Sequence, residues 1–124
     1  MSTDQTIRAI VADDHAVLQQ ALVACLQAVP GIEVVGTAVN GQDALEKSGT
    51  LKPDLVVADL LMPIMNGFEL LKKLRKAYPE IRLVAVSGHD SPAIADEALA
   101  AGANAFIPKN GLPNDLLRVL KTLL

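Results

Sequence analysis

Hydrophobic positions along this chain follow two alternating periods. Short runs rich in Val, Ile, Leu and Ala recur five times, and segments with apolar residues at helical spacing lie between them. The runs are apolar over most of their length, which is typical of strands covered on both faces. They predict strands near Ile7 to Ala12, Ile32 to Ala38, Leu55 to Ala58, Leu83 to Val86 and Ala105 to Ile107.

The segments between and after these strands predict five helices. Pro92 and Pro113 stand near the first turns of the fourth and fifth helices, where proline is well tolerated. The second helix, around residues 43–48, has the weakest pattern, and Arg75 falls on the polar face of the third. The residues predicted to face inward in the first, third, fourth and fifth helices are Leu18, Leu22 and Cys25; Leu70, Leu71 and Leu74; Ile94, Ala95, Ala98 and Leu99; and Leu116, Leu117, Leu120 and Leu124.

Strands that alternate with helices through short connections pair in parallel by right-handed crossovers. The five repeats therefore predict a single α/β domain over residues 1–124, in which an open, doubly wound sheet lies between two layers of helices. Sheets of this kind bind ligands beyond the carboxyl ends of their strands. The residues that follow each strand are therefore the candidates for function.

Composition excludes several other classes of protein. The chain has 124 residues, of which 51% are hydrophobic, and this is enough to bury a core without disulfides or a structural metal. A net charge of −3 and only three aromatic residues disfavour direct contact with nucleic acid. Cys25 is the only cysteine, which excludes an internal disulfide and fits a reducing cytoplasm. Asp4 argues against a secretory signal, and Gln and Pro residues in the uncharged stretch 15–32 argue against a membrane span.

Polar residues follow four of the five predicted strands. Asp13 and Asp14 follow the first strand, Asp59 the third, Ser87 the fourth and Lys109 the fifth. Taken singly, an Asp before a helix is a common N-cap, a Ser before Gly a turn residue, and a loop Lys a solvated charge. Because the strands are parallel, all five side chains are expected at one edge of the sheet. Together they predict a functional site there.

The charges of this group predict a bound cation. Three carboxylates and one ammonium leave a net charge of −2, and each unpaired like-charge contact at about 4 Å costs roughly 4 kcal/mol at an effective dielectric near 20. An all-oxygen ligand set without a thiolate suits Mg²⁺. With the metal bound, Asp59 can act as a nucleophile on phosphorus. Lys109 and Ser87 would then stabilise the phosphoryl oxygens.

Four segments of the chain resemble the receiver domain of two-component response regulators. They are VADDHAVLQQAL, VVADLLMPIMNGFELL, VAVSGHD and AGANAFIPKN, and the resemblance extends from Ile7 to the last helix. The first and last segments look most like the NarL/FixJ-like branch, whose full-length members are transcription factors with a helix-turn-helix output. The resemblance implies a flavodoxin-like (βα)5 fold with strand order 2-1-3-4-5. The chain is expected to hold a receiver domain alone, with no output domain, as either a stand-alone receiver or a piece of a longer regulator.

The same resemblance implies a phosphorylation-dependent signalling switch rather than a turnover enzyme. Asp59 would accept a phosphoryl group from a phosphohistidine of a partner sensor histidine kinase. Mg²⁺ would be held directly by Asp14 and Asp59, mostly through water by Asp13, and by the backbone carbonyl of Leu61. DNA would be contacted only through the output domain, and the receiver itself could form a homodimer through the first and fifth helices or another face.

In receivers a conformational switch follows phosphorylation. The resemblance implies that the Ser87 hydroxyl moves toward the phosphoryl group and that the Phe106 ring turns inward, which remodels the face of the fourth helix, fifth strand and fifth helix. The simpler interpretation of Phe106, a core residue at the end of the fifth strand, is favoured slightly and is compatible with switching. Many receivers have Lys-Pro, often with a cis bond, where this chain has Lys109-Asn110, so the geometry of that loop stays open. His15 and His89 are expected on the surface.

Three other functions compete with this interpretation. An aspartyl-nucleophile phosphatase of the haloacid-dehalogenase kind needs a second Asp where this chain has Leu61. A nucleotide or flavin module needs a Gly-rich or Ser/Thr-rich loop after the first strand, where Asp13 and Asp14 would repel a phosphate. A receiver-like docking module that is never phosphorylated has no distinguishing sequence feature, and this alternative stays open.

Overall fold

Five parallel strands form the centre of the molecule. The computed structural model describes residues 6–124, so Asp4 and its neighbours in 1–5 lie outside the described residues. The sheet order is β2-β1-β3-β4-β5, which confirms the predicted flavodoxin-like fold. Strands three, four and five each extend one residue further toward their carboxyl ends than predicted. Their bounds are β1 Ile7–Ala12, β2 Ile32–Ala38, β3 Leu55–Asp59, β4 Arg82–Ser87 and β5 Ala105–Pro108.

Five helices connect and flank these strands. Asn40 and Asn66 cap the second and third helices, where each side-chain oxygen accepts the backbone N–H three residues on, at 2.7 and 3.0 Å. The second helix is therefore longer than its weak apolar pattern predicts. The bounds are α1 Ala16–Gln27, α2 Gly41–Leu51, α3 Gly67–Ala77, α4 Pro92–Ala100 and α5 Asn114–Leu123, with a short 3-10 turn over Lys109–Gly111 before α5.

Two separate hydrophobic clusters lie on opposite faces of the sheet. One cluster joins β-strand alanines and valines to the leucines of α3 and to small residues of α2 and α4. The other joins the opposite side chains of the same strands to leucines of α1 and α5. Because successive strand residues point to opposite faces, both faces need apolar side chains. This explains why the strands appear in the sequence as continuous apolar runs.

Two residues predicted to face inward are exposed. Leu99 of α4 is 47% exposed, because this short helix contacts the core mainly through small residues and only Ala98 is fully buried. Leu124 is 45% exposed. Leu124 follows the last helical residue of α5, so the helix does not hold its side chain against the core.

Arg75 of α3 is half-buried, although it lies on the polar face of the helix. Its guanidinium donates to the carbonyl oxygens of Gly102 and Ile81 and to the side-chain oxygen of Asn104, at distances of 2.7 to 3.1 Å. Asn104 in turn accepts the backbone N–H of Leu83 at 2.8 Å. The side chain therefore ties α3 to the turn that leads from α4 into β5.

The bond before Asn110 is trans. Among the described residues, the one cis peptide bond joins Leu112 to Pro113, three residues further along the loop. No helix within residues 6–124 has both the length and the hydropathy needed to cross a membrane.

Candidate functional site

The sheet brings the predicted site residues to one edge. Ala12 pairs with Ala58 in the register of β1 and β3, and Asp59 pairs with Val86 in the register of β3 and β4. The backbone N–H of Leu60 also donates to the carbonyl of Val86 at 3.0 Å, which holds the ends of β3 and β4 together. The residues that immediately follow or end these strands are therefore neighbours in space, as the parallel topology predicts.

Asp59 is the last residue of β3, and its carboxylate is almost completely buried. Its Oδ2 lies 3.2 Å from Nζ of Lys109, in an ion pair that links two segments fifty residues apart. Its Oδ1 accepts the backbone N–H of Leu61, also at 3.2 Å. A buried carboxylate without partners would be costly. Here one cation and one amide N–H hold it in a defined orientation.

Neither Asp13 nor Asp14 caps α1. His15 occupies the N-cap position, and its side chain makes no hydrogen bond to the first helical N–H groups. The carboxylate of Asp13 instead accepts the backbone N–H of His15 at 2.8 Å, before the helix begins. The N-cap interpretation of the acidic pair is therefore wrong. Neither carboxylate is used to cap α1, so both can take part in the site at the strand ends.

Asp13 is a buried carboxylate with a raised pKa. Its side chain is fully buried, and its Oδ2 has no hydrogen-bond partner among the described residues. Burial raises the pKa of Asp13 above 3.8, and the nearby charge of Asp59 raises it further. The hydrogen bond from His15 and the charges of Lys109 and His15 lower the pKa in part, without cancelling the effect of burial.

The three carboxylates and the His15 imidazole form a compact cluster. One ligand atom from each of Asp13, Asp14, His15 and Asp59 can be chosen so that all lie within 4.8 Å of one another. Buried carboxylate oxygens without a donor are rare in folded proteins, because an unsatisfied charged group is costly. The free Oδ2 of Asp13 therefore fits a site built to receive a cation. Oxygen is the ligand type that Mg²⁺ prefers.

Ser87 ends β4 and is buried. Its hydroxyl oxygen accepts the backbone N–H of His89 at 3.0 Å, while the His89 side chain is exposed. The strand register places Ser87 beside Pro108, so it stands next to the loop that begins with Lys109. Phe106 is half-buried and packs against the cluster on the α3 and α4 side of the sheet.

The loop between β3 and α3 begins directly after Asp59. Leu61 is exposed at its beginning, and the loop ends where α3 starts at Gly67. A Cβ at Gly67 would lie 2.5 Å from the carbonyl oxygen of Asp59 and 2.6 Å from Cα of Leu60. The start of α3 therefore packs directly on the backbone of Asp59, and only glycine leaves room for this contact.

We expect Gly67→Ala to lower the free energy of unfolding by about 1 to 3 kcal/mol, because the added methyl group must push α3 away from the end of β3. Urea denaturation measures this change. Gly49→Ala is the matched control, since this exposed α2 position offers an ordinary contact at 3.6 Å to the Tyr78 hydroxyl. There we expect no loss, and a gain of up to about 1 kcal/mol from helix propensity. Equal stability of Gly67→Ala and wild type would contradict the tight packing.

Sequence reasoning missed two contributors to this site. His15 was expected on the surface, which its 68% exposure confirms, but its contacts were not foreseen: Nδ1 lies 3.3 Å from Asp14 Oδ1 and 3.4 Å from Asp13 Oδ1. Its position directly after the acidic pair was the available signal. Gly67 was not singled out, because the sequence does not show which helix start approaches a strand end.

Comparisons with known proteins agree with this architecture. A family model described as the response regulator receiver domain matches residues 9–121. The chain is 38% identical over 122 residues to the nitrate/nitrite response regulator protein NarL of Escherichia coli (strain K12), which covers 97% of this chain and 56% of NarL. It is 42% identical over 113 residues to protein-glutamate methylesterase/protein-glutamine glutaminase 1 of Carboxydothermus hydrogenoformans, which covers 90% of this chain and 33% of the relative.

A solved structure shows the same fold. The signal receiver domain of the putative response regulator NarL from Mycobacterium tuberculosis superposes with a TM-score of 0.87 at 32% identity, over 96% of this chain and 97% of that one. A 2-1-3-4-5 sheet with an acidic cluster at its carboxyl edge defines the receiver class. This chain belongs to the response regulator receiver domain family.

The comparisons do not distinguish branches within the family. The chain spans about a third to just over half of the curated relatives it matches. One of these relatives is named as a response regulator and the other as a methylesterase and glutaminase, at similar identity. The NarL/FixJ-like branch, which the sequence favoured, is therefore supported only in part.

Proposed function

We propose that this chain is a phosphorylation-dependent switch, in which Asp59 accepts a phosphoryl group from a partner sensor histidine kinase. The buried Asp59 carboxylate, held by Lys109 and beside the unpartnered Asp13, is the observation that carries the proposal. A carboxylate in this position is oriented by the fold before a substrate arrives. Such orientation removes much of the entropic barrier to reaction.

In the proposed step, an Asp59 oxygen attacks phosphorus and forms a P–O bond, giving an acyl phosphate. The P–N bond of the phosphohistidine breaks, and the leaving imidazole nitrogen keeps the electron pair and takes up a proton. Lys109 already stands 3.2 Å from Asp59, and its ammonium neutralises charge on one phosphoryl oxygen. The Ser87 hydroxyl donates to another phosphoryl oxygen.

We assign the metal position to the acidic pair and the end of β3. Asp14 and Asp59 would hold Mg²⁺ directly, Asp13 mostly through water, and Leu61 through its backbone carbonyl. When bound, Mg²⁺ supplies positive charge that offsets the site's net charge of −2 and lets a phosphate approach. The buried Oδ2 of Asp13 supports this assignment, because it lacks any donor among residues 6–124.

The proposed signal passes from Ser87 to Phe106. In the described state the Ser87 hydroxyl oxygen accepts the His89 N–H and its hydrogen is free to donate, and on phosphorylation the hydroxyl would move toward the phosphoryl group. Phe106, half-buried one strand away, then turns inward and remodels the α4-β5-α5 face. Phosphorylation can shift this equilibrium only by the difference in its affinity for the two states.

We infer that the receiver controls an output through this remodelled face and is not itself a turnover enzyme. Transcription control by a DNA-binding domain is the output we favour, since the NarL match covers more of the chain than the methylesterase match does. A methylesterase output is the second candidate, and translation of the gene beyond the codon for Leu124 distinguishes them. A cytoplasmic location and a phosphorylation-dependent homodimer accompany this proposal.

Intact-mass measurement tests the proposal. With acetyl phosphate and Mg²⁺, we expect the mass of one added phosphoryl group, which hydroxylamine removes because acyl phosphates react with it. Chelation of Mg²⁺ should prevent the addition, and peptide mapping should place it on the segment that contains Asp59.

Other outcomes would support the competing functions. No added mass with acetyl phosphate, or with a phosphorylated histidine kinase as donor, would favour a docking module that is never phosphorylated. Rapid turnover of a small phosphate ester would favour a phosphatase. Either result would overturn the proposal that this chain is a phosphorylation-dependent switch.

A further inference from the structure

The side-chain amide of Gln19 lies between the ends of two strands. Gln19 is half-buried near the start of α1. Its Nε2 donates to the backbone carbonyl of Asp13 at 3.1 Å and to the backbone carbonyl of Ala38 at 2.9 Å. Asp13 directly follows β1, and Ala38 is the last residue of β2. One side-chain nitrogen therefore joins α1 to the ends of both strands.

The position between these strand ends requires a hydrogen-bond donor. Both neighbouring groups are carbonyl oxygens, which accept hydrogen bonds and cannot donate them. The amide nitrogen of Gln19 carries two hydrogens, and each of them has an acceptor here. The Ala38 carbonyl also accepts the backbone N–H of Asp13 at 3.0 Å, so both of its lone pairs are used. An apolar side chain at residue 19 would leave this bridge unmade.

The bridge fixes the backbone of Asp13 on both sides. The Asp13 N–H donates to Ala38, and the Asp13 carbonyl accepts the Gln19 amide. Asp13 and Asp14 lie in the turn between β1 and α1, and the N-cap side chain of α1 makes no hydrogen bond that would hold this turn. The direction in which a side chain leaves the chain follows from its backbone. Gln19 therefore helps to set where the Asp13 carboxylate points.

A second hydrogen bond in the same turn uses the carboxylate itself. Asp13 Oδ1 accepts the backbone N–H of His15 at 2.8 Å, so this bond occupies an oxygen that a cation could also use. The Gln19 bridge involves backbone carbonyls alone. It constrains the turn and leaves every carboxylate oxygen of the acidic cluster to a metal.

We propose that Gln19 is a positioning residue for phosphoryl transfer, which raises the Mg²⁺ affinity of the acidic site by fixing the turn that carries Asp13 and Asp14. This inference rests on the proposed function, because it uses the Mg²⁺ position assigned there. Ligands that are held in place before an ion arrives lose less conformational freedom when it binds, and binding is tighter as a result. The Gln19 amide donates to backbone carbonyls, so its effect passes through the acidic turn.

Calorimetric titration with Mg²⁺ tests this role without phosphoryl transfer. We expect Gln19→Met and Gln19→Leu each to weaken Mg²⁺ binding by about tenfold, the size typical of a lost partner behind a metal ligand. Both replacements lack the donor and are good helix formers, so α1 should remain intact. Gln20→Met and Gln20→Leu are the matched controls, since Gln20 is exposed on the same helix. Both control variants should bind Mg²⁺ as tightly as the wild type.

Amide hydrogen exchange in a chelator examines the same turn in the metal-free protein. The backbone N–H groups of Asp13 and His15 should exchange faster in the Gln19 variants, because the turn opens more often. The N–H groups within β1 should exchange at the wild-type rate. A general loss of stability would instead raise the exchange rates of the turn and of the strand together, and that result would overturn the positioning role.

The Mg²⁺ dependence of phosphorylation also separates positioning from a general loss of structure. With acetyl phosphate as donor, the Mg²⁺ concentration that gives half the maximal rate should rise by about tenfold in the Gln19 variants, while the rate at saturating Mg²⁺ stays within about twofold of wild type. A merely structural role would lower the urea midpoint and leave the Mg²⁺ dependence of the folded protein unchanged.

The outcomes distinguish this inference from the proposed function. Wild-type Mg²⁺ affinity in both Gln19 variants, or an equal loss in the Gln20 controls, would overturn the positioning role. If Asp59 takes up no phosphoryl group and Gln19→Met still weakens Mg²⁺ binding, the proposed function fails and the positioning role stands. If phosphorylation of Gln19→Met proceeds with unchanged Mg²⁺ dependence, the proposed function stands and the positioning role fails.

Discussion

Asp59→Asn is expected to abolish phosphoryl incorporation, leaving only background in the intact-mass assay with acetyl phosphate and Mg²⁺. The amide has the same shape as the carboxylate, and its oxygen can still accept the N–H of Leu61. It carries no negative charge, and its nitrogen electron pair is delocalised, so it is not a nucleophile toward phosphorus. The substitution also removes the 3.2 Å ion pair with Lys109, so an unchanged circular dichroism spectrum of the variant assigns the loss to chemistry.

Asp96→Asn is the matched control for this substitution. Asp96 is exposed on α4 and takes no part in the acidic cluster, so the same change of carboxylate to amide should leave incorporation at the wild-type level. Phosphoryl incorporation that persists in Asp59→Asn would show that another residue is the acceptor. Its resistance or sensitivity to hydroxylamine would identify the chemical type of that acceptor.

Asp13→Asn is expected to change metal binding and stability in opposite directions. It should weaken Mg²⁺ binding by about tenfold or more, because an anionic partner of the metal's water is lost. In the metal-free protein it should raise the free energy of unfolding by about 1 to 3 kcal/mol, since it removes a buried charge that has an unpartnered oxygen. Calorimetry with Mg²⁺ and urea denaturation in a chelator measure the two effects.

The pH dependence of this stability difference follows from the raised pKa of Asp13. Below pH 3.8 the residue is neutral in both folded and unfolded chains, and burial then costs little. As the pH rises through the raised pKa of the folded state, the unfolded chain releases its proton more readily, and stability is lost. The advantage of Asp13→Asn over wild type should therefore grow across this range and stay constant above it. An advantage that does not change with pH would contradict the burial of an ionised Asp13.

The fold was predictable because its main determinants are local. Apolar runs of strand length alternate with helical stripes, and short connections leave the parallel, right-handed arrangement as the consistent one. The two wrong burial predictions, Leu99 and Leu124, arise where a helix is short or has ended. A periodic pattern assigns a face to a residue, and it does not show whether anything packs against that face.

The candidate site was predictable in part for a topological reason. Residues that follow parallel strands must share an edge, so Asp13, Asp59, Ser87 and Lys109 could be grouped before any distance was known. Their partners could not be predicted. The 3.2 Å pair between Asp59 and Lys109 depends on how the loop after β5 folds back over the sheet.

By itself, the sequence determined the alternation of strands and helices, the parallel sheet and the residues at its carboxyl edge, because these depend on periodicity and on connection length. Only the tertiary structure decided that Asp13 is not an N-cap, that its Oδ2 is buried without a partner, and that His15 turns toward the acidic pair. Burial, hydrogen bonding and ion pairing depend on distances between segments far apart in the chain. Such distances are set by packing of the whole domain and leave no local pattern in the sequence.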